Sequence, residues 1–126
     1  MNDNFKHRRH HISLKSALSG IQLVIKTEIN AKIIMVMSAV VIIFGVLFNL
    51  NYTEWLVLVL AISLVAVSEM INTSIEAVTD LVTKEWHQEA KTAKDVAGGM
   101  VLIASLAAAV IGLMVFLPKL INLISF

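Results

Sequence analysis

The sequence contains no cysteine, which excludes disulfide bonds and thiolate metal sites. Charged residues are also scarce: Asp, Glu, Lys and Arg make up 15% of the 126 residues, whereas 58% are hydrophobic. The resulting mean hydropathy of +0.84 is too high for a soluble domain of this length. The GxxxxGK(S/T) phosphate loop, the dinucleotide GxGxxG and the HRD and DFG kinase motifs are absent as well, which excludes the familiar soluble nucleotide folds.

Three stretches of the chain carry no charged residue at all: Ile33–Thr53, Trp55–Ser68 and Val96–Pro118. The first and third exceed the roughly 18 residues that indicate a membrane-spanning helix, and the second does so only if Glu69 is included. We therefore predict an all-α integral membrane protein with three transmembrane helices in a single membrane domain. The predicted domain covers residues 1–126, with the spanning helices at 33–50, 55–84 and 95–118.

The residues ahead of the first span predict an additional helix. Apolar side chains between residues 13 and 28 recur at helical spacing, with polar side chains on the opposite face. Ser13 is a suitable N-cap. We therefore predict an amphipathic surface helix over 13–28, lying at the membrane interface, preceded by a basic segment over 1–12.

Lysine and arginine are distributed unequally between the two ends of the predicted spans. None lies between the first and second spans, and only Lys119 follows the third. The positive-inside rule then places the N-terminus and the second loop in the cytoplasm. The basic residues on that side are Lys6, Arg8, Arg9, Lys15, Lys26, Lys32, Lys84, Lys91 and Lys94.

A polar stripe interrupts the second span. Glu69, Asn72, Glu76 and Asp80 are spaced i, i+3, i+7 and i+11, which places them within an arc of about 80° on one helix face. An ionised carboxylate at the bilayer centre costs at least ~2.5 kcal/mol, so the stripe implies a polar interior site. Glu69 follows the uncharged stretch 55–68 and should be the least solvated of the four.

Such a stripe suits two chemical tasks. Glu69 could act as a base toward a lipid hydroxyl. Glu76, near the interface, could bind a hard cation such as Mg²⁺, which prefers oxygen ligands and accompanies phosphates, and Glu28 could supply a second carboxylate at the same depth. At the predicted start of the third span, Lys94 could meet a phosphate, and the free amides there would help to bind anions.

Simpler structural roles are open for the same residues. Glu76 and Asp80 could be solvated residues of a protruding helix, with Asp80 paired to Lys84 at i+4. Glu28 could be an ordinary surface charge, and Asp95 could be a helix cap. Small residues along the third span fit helix packing better than chemistry. They are Ala104, Ala108 and Gly112.

The stretch from Ser68 to Leu102 resembles the signature of the small prokaryotic diacylglycerol kinase and undecaprenol kinase family. That signature reads E-x-x-N-(S/T)-x-I-E-x-x-x-D, then an acidic–aromatic–His step, then A-K-D. The predicted arrangement of three spans and a surface helix matches the family as well, so the resemblance covers nearly the whole chain. The matching residues are Glu69, Asn72, Thr73, Ile75, Glu76, Asp80, Glu85, Trp86, His87, Ala93, Lys94 and Asp95.

The resemblance implies a lipid kinase that transfers the γ-phosphoryl group of MgATP to a membrane lipid alcohol. It implies that Glu69 is the catalytic base, that Asn72 orients the acceptor or the base, and that Glu28 and Glu76 hold Mg²⁺. It also implies a homotrimer in the bacterial cell membrane, with active sites between subunits on the cytoplasmic side and no nucleic-acid partner. The nucleotide contacts that it implies are Glu28, Glu76, Glu85, Trp86, His87, Lys94 and Asp95, with Arg8 or Arg9 a looser match.

Two segments favour one branch of the family. The start of the second span, TEWL, and the ending VFLPKL resemble the undecaprenol kinases of Gram-positive bacteria, so undecaprenol is the expected acceptor and diacylglycerol the alternative. A proton-coupled transporter is a further alternative, but its carboxylate should lie near the membrane midplane, whereas here the acidic groups gather toward the cytoplasmic end. A purely structural membrane subunit would not explain the costly Glu69.

Overall fold

The computed structural model describes residues 14–125, and these residues form four helices and no strand. Three of the helices are long and apolar enough to cross a membrane, which confirms the all-α fold with three spans. The basic segment 1–12 and the proposed cap at Ser13 lie outside the described residues. The helices are α1, Leu14–Thr27; α2, Ile29–Leu47; α3, Tyr52–Val82; and α4, Gln88–Ile124.

The turns between the helices have clear local causes. Glu28 adopts an extended conformation, with φ −92° and ψ 125°, and separates α1 from α2. α3 begins with a capping box, in which Asn51 Oδ1 accepts a hydrogen bond from the Glu54 amide at 3.0 Å. In return, the Asn51 amide donates to Glu54 Oε2 at 2.8 Å, so two otherwise unpaired amides at the helix start are satisfied.

The third span is longer than the sequence predicts at both ends. α4 begins at Gln88 with His87 as its N-cap, and it continues through Pro118 to Ile124. A proline inside a membrane helix is tolerated because neighbouring groups can satisfy the backbone that it frees. The prediction placed the start of the helix at residue 95 because charged residues precede it, and the end at residue 118 because of the proline. Neither feature ends the helix.

α3 and α4 form the main antiparallel pair of the bundle. Ion pairs join them near both ends, from Lys94 Nζ to Asp80 Oδ1 at 2.5 Å and from Lys119 Nζ to Glu54 Oε1 at 3.1 Å. Small side chains at the contact let the two backbones approach each other closely. The buried apolar residues of this pair are Leu58, Ala61, Val65, Ala97 and Ala104.

At the end of the bundle that holds the α2–α3 turn, α2 is held against the other two helices. Phe116 of α4 makes edge-on contacts with Phe44 and Phe48, with ring centroids 6.5 and 6.0 Å apart. Gly45 lies directly under the ring of Trp55, which belongs to α3. These contacts fix the C-terminal end of α2, whereas its N-terminal half borders open grooves on both sides.

The contact between Gly45 and Trp55 generates a prediction about stability. A Cβ atom at position 45 would lie 2.7 Å from Trp55 Cη2, so the bulky ring would have to move. We expect Gly45→Ala to destabilise the protein by about 1–3 kcal/mol, which thermal unfolding in detergent would detect. Gly20→Ala is the matched control, because a Cβ there meets no atom within 4 Å. Equal melting temperatures for the two variants would contradict this packing.

Candidate active site

The polar stripe of α3 faces the inside of the bundle. Glu69 and Asn72 are only 2% and 7% exposed, and Ser68 beside them is buried too. Asn72 Nδ2 donates a hydrogen bond to Glu76 Oε1 at 3.0 Å, so the stripe is connected along the helix. The structure therefore brings the two residues predicted to be catalytic into one buried position, with a predicted metal ligand directly attached.

Two oxygen atoms of this stripe lack a hydrogen-bond donor among residues 14–125. They are Glu69 Oε2 and Asn72 Oδ1, and both are buried. An unsatisfied buried acceptor costs about 1–3 kcal/mol, so such atoms are rare in stable structures and call for an explanation. Both atoms are acceptors, and therefore the group that would satisfy them is a donor such as a hydroxyl.

Glu28 reaches the same region from the break between α1 and α2. Its carboxylate makes no capping hydrogen bond, and Oε1 accepts one from Thr27 Oγ1 at 3.0 Å. Both Glu28 and Glu76 lie close enough to the Glu69 carboxylate to interact with it electrostatically. Carboxylates from two parts of the chain, Glu28 and Glu76, thus lie within electrostatic range of Glu69.

The donor set fits a hard divalent cation only in part. Within the described chain, no three His, Asp or Glu side chains are grouped tightly enough to hold a metal by themselves. Glu28 and Glu76 could supply two carboxylate oxygens, and the remaining positions would fall to water and phosphate oxygens. Mg²⁺ is commonly bound in this way, through one or two carboxylates together with substrate phosphates.

Asn30 is a neighbour of Glu69 that the sequence did not single out. It is the second residue of α2, and its side-chain amide lies beside the Glu69 carboxylate. The only signal in the sequence is a polar side chain two positions after Glu28, at the start of an apolar helix. Its approach to Glu69 depends on how α2 packs against α3, which sequence spacing does not reveal.

A second polar site lies at the loop between α3 and α4. Thr83 Oγ1 accepts a hydrogen bond from the Glu85 amide at 3.1 Å, which holds the start of the loop. The groove at this loop has a volume of about 600 Å³. All five residues of the loop and α4 that were predicted to contact nucleotide line it: Glu85, Trp86, His87, Lys94 and Asp95.

The charged side chains around this groove form ion pairs that differ from those expected from the sequence. Asp80 pairs with Lys94 across the two helices rather than with Lys84 at i+4, the alternative that the sequence left open. Asp95 does not cap α4, because the helix begins seven residues earlier, and it pairs instead with Lys91. For the same reason, Lys94 lies two turns inside α4 and not beside its free N-terminal amides.

Two apolar grooves meet at Glu69, one on each side of α2. The first, called the α1–α2 groove, lies between α1, α2 and α3 and is lined by Ala39, Ala66 and Glu69, among others. The second, called the α2–α4 groove, runs between α2, α3 and α4. Its lining includes Ile34, Glu69, Asn72, Ser105, Gly112 and Phe116. Glu69 thus borders both apolar grooves, whereas Asn72 lines only the second.

Comparison with known proteins accounts for this combination of polar sites in a membrane bundle. The family model described as "Prokaryotic diacylglycerol kinase" matches residues 15–116. The chain belongs to the prokaryotic diacylglycerol kinase family. It is therefore a membrane-bound, ATP-dependent lipid kinase, whose substrates are a nucleotide and a lipid and whose phosphoryl transfer involves a divalent metal.

Two curated relatives illustrate the breadth of the family. The chain is 39% identical over 101 residues to an undecaprenol kinase of Bacillus subtilis, which covers 80% of this chain and 82% of that protein. It is 36% identical over 113 residues to a diacylglycerol kinase of Synechocystis, covering 89% of this chain and 65% of that protein. The two relatives have different names at similar identity, so these likenesses leave the lipid acceptor undecided.

Proposed function

We propose that this enzyme transfers the γ-phosphoryl group of MgATP to undecaprenol, with Glu69 as the catalytic base. The observation that supports this most strongly is the buried Glu69 Oε2, which has no hydrogen-bond donor among residues 14–125. A lipid hydroxyl entering from an apolar groove would supply that donor. The 39% identical relative named undecaprenol kinase, together with the shape of the α2–α4 groove, favours undecaprenol as the acceptor.

The proposed reaction is a direct transfer. The lipid hydroxyl oxygen forms a bond to the γ-phosphorus, the bond from that phosphorus to the oxygen bridging the β and γ positions breaks, and ADP leaves. The hydroxyl proton passes to the Glu69 carboxylate. Because the transition state of phosphoryl transfer is loose, the protein contributes mainly positioning and charge stabilisation rather than a covalent intermediate.

Neighbouring residues would position the reacting groups. Asn72 donates to Glu76 Oε1 and keeps a free Oδ1, so it could orient the acceptor hydroxyl beside Glu69. Glu28 and Glu76 would hold Mg²⁺, which when bound neutralises phosphate charge. The proposed nucleotide contacts are Glu28 and Glu76 together with the loop-side groove residues Glu85, Trp86, His87, Lys94 and Asp95.

A homotrimer is part of the proposal. At 1.5 Å per residue, the 31 residues of α3 extend about 46 Å, which is longer than a hydrocarbon core of ~30 Å. Apolar side chains near its cytoplasmic end, Val78, Leu81 and Val82, are 60%, 86% and 79% exposed in the single chain. Neighbouring copies would cover these side chains beyond the membrane and enclose the half-buried end of the acidic stripe, Glu76 and Asp80, between subunits.

The acceptor itself can be tested directly with the purified enzyme. Labelled ATP and Mg²⁺ would be incubated with undecaprenol and with diacylglycerol in the same membrane-mimetic mixture. We expect phosphorylated undecaprenol to form with the higher kcat/KM, since its single chain fits one groove. Preferential phosphorylation of diacylglycerol would support the alternative acceptor, and the absence of any phosphorylated lipid would contradict the kinase mechanism.

We propose that the N-terminus and the site face the cytoplasm of a bacterial cell, on the basis of the lysine and arginine distribution. The natural absence of cysteine makes single-cysteine labelling straightforward. In intact cells, an impermeant thiol reagent should modify Asn51→Cys but not His87→Cys until the membrane is opened. The reverse labelling pattern would place the proposed site on the side of the membrane that lacks cellular ATP, and would contradict the proposed orientation.

The role of Glu69 predicts a selective loss of turnover. A general base contributes typically about 10²–10⁴-fold, so Glu69→Gln should lower kcat by about that factor. Nucleotide affinity should change little, because the proposed metal ligands are intact. Glu89→Gln is the matched control, since Glu89 is exposed on the first turn of α4. Near-normal turnover in Glu69→Gln would rule it out as the base, whereas a collapse of MgATP binding would assign it to the metal site.

The metal assignment predicts altered magnesium dependence. An amide is a poor ligand for a hard cation, so Glu76→Gln and Glu28→Gln should each lower activity and raise the Mg²⁺ concentration needed for half-maximal rate. Magnesium titrations at saturating ATP would measure the effect. If the titration of a variant overlaps that of the wild-type enzyme, the substituted residue is not a ligand of the metal.

A further inference from the structure

Glycine at position 112 has no packing explanation within the described chain. A Cβ atom built there meets nothing within 4 Å, in contrast to Gly45, where Trp55 fills the space. Glycine inside a helix is about 1 kcal/mol less favourable than alanine. What Gly112 does provide is free volume in the wall of the α2–α4 groove, where it is neighboured by Ala108 and Ala109.

This groove leads to the reacting carboxylate. Its outer part, about 390 Å³, and its inner part, about 350 Å³, adjoin each other along Ile33, Ile34 and Ser105, which line both. The inner part ends at Glu69 and Asn72, both more than nine-tenths buried, each with one oxygen that has no donor among residues 14–125. The outer part ends at Phe116, where the aromatic contacts with Phe44 and Phe48 close it.

The antiparallel pairing of α3 and α4 gives the distance between Gly112 and the base. Asp80 pairs with Lys94 and Glu54 with Lys119, so Glu69 lies level with Ser105. Gly112 lies seven residues further toward the outer end, which corresponds to about 10 Å along the helix. A molecule with its hydroxyl at Glu69 would pass Gly112 only if it carried a long hydrocarbon chain.

The shape of the groove favours a polyprenyl chain over a pair of acyl chains. A polyprenol carries its hydroxyl at the end of a single chain, so the whole reacting end can lie in one groove. The methyl branch on every isoprene unit makes this chain thicker than an acyl chain, and a wall of glycine and alanine leaves space for it. In diacylglycerol the hydroxyl adjoins two ester-linked chains, so both chains would have to share one groove or pass on opposite sides of α2.

We propose that Gly112 is a specificity-determining residue, which keeps the α2–α4 groove open to the polyprenyl chain of the acceptor about 10 Å beyond the reacting hydroxyl. This role rests on the proposed function, since it assumes a polyprenol acceptor with its hydroxyl at Glu69. A side chain at this position would obstruct long acceptors while leaving the chemistry of the site and short acceptors unaffected.

The test compares acceptors of different length in one variant. Gly112→Leu should raise the KM for undecaprenol by about tenfold or more, because a filled pocket rejects a chain that needs its volume. The KM for the single-isoprene alcohol 3-methylbut-2-en-1-ol, which is too short to reach Gly112 from Glu69, and the KM for MgATP should not change. Ala108→Leu, on the same wall, should show the same selectivity and serves as the second variant if Gly112→Leu does not fold. Ala39→Leu, in the α1–α2 groove, is the matched control and should leave both alcohols unaffected.

Several outcomes would overturn the proposal. An unchanged KM for undecaprenol in a folded Gly112→Leu or Ala108→Leu variant would show that the chain does not follow this groove. An equal rise for undecaprenol and 3-methylbut-2-en-1-ol would indicate a general structural effect, and a rise confined to Ala39→Leu would move the chain to the other groove. In each of these cases the wild-type enzyme still phosphorylates undecaprenol. A wild-type enzyme active only on diacylglycerol would instead refute the proposed acceptor, and with it this role of Gly112.

Discussion

The burial of a carboxylate at Glu69 inside a largely apolar bundle is the constraint on which the rest of the site depends. A charge in this position is expensive, and it persists only where polar neighbours or a bound group compensate for it. The protein gives it a partial polar environment, with Asn30 beside it and Asn72 one turn away. One oxygen of Glu69 still lacks a donor among residues 14–125, and that incomplete satisfaction is what makes an acceptor hydroxyl a suitable occupant.

The three spanning helices pack tightly at one end of the bundle and leave apolar grooves between them at the other end, where Glu69 lies. At the end that holds the α2–α3 turn, the phenylalanine cluster, the Gly45–Trp55 contact and the Glu54–Lys119 ion pair hold the three spanning helices together. Toward the end that holds the α3–α4 loop, α2 stands away from α4, and apolar grooves reach Glu69 from both sides. A lipid could therefore approach from the membrane while a nucleotide approaches from the loop between α3 and α4. This separation of routes suits a reaction between one membrane-bound and one water-soluble substrate.

Much of the fold could be predicted from the sequence, because uncharged stretches longer than a bilayer is thick leave few alternatives to spanning helices. The burial of Glu69 and Asn72 also followed from their spacing, since residues three apart share a helix face. The pairing of Asp80 with Lys94 did not, because those residues meet only through the antiparallel packing of α3 and α4. The start of α4 at Gln88 was missed for a related reason: the charged residues of its first turns suggested a loop, but they extend the helix beyond the membrane. The roles of the individual site residues stay predictions, as the geometry supplies positions and partners but not reactivity.

The most direct test of the central claim is an experimental structure of the enzyme in a lipid bilayer, bound to undecaprenol and a non-hydrolysable ATP analogue. The decisive quantity is the distance from the lipid hydroxyl oxygen to the carboxylate of Glu69. We predict a hydrogen bond to Oε2, with an oxygen–oxygen distance of about 2.5–3.0 Å, and the γ-phosphate on the opposite side of that hydroxyl. A hydroxyl bound away from Glu69, with Oε2 satisfied by a protein group, would contradict the account.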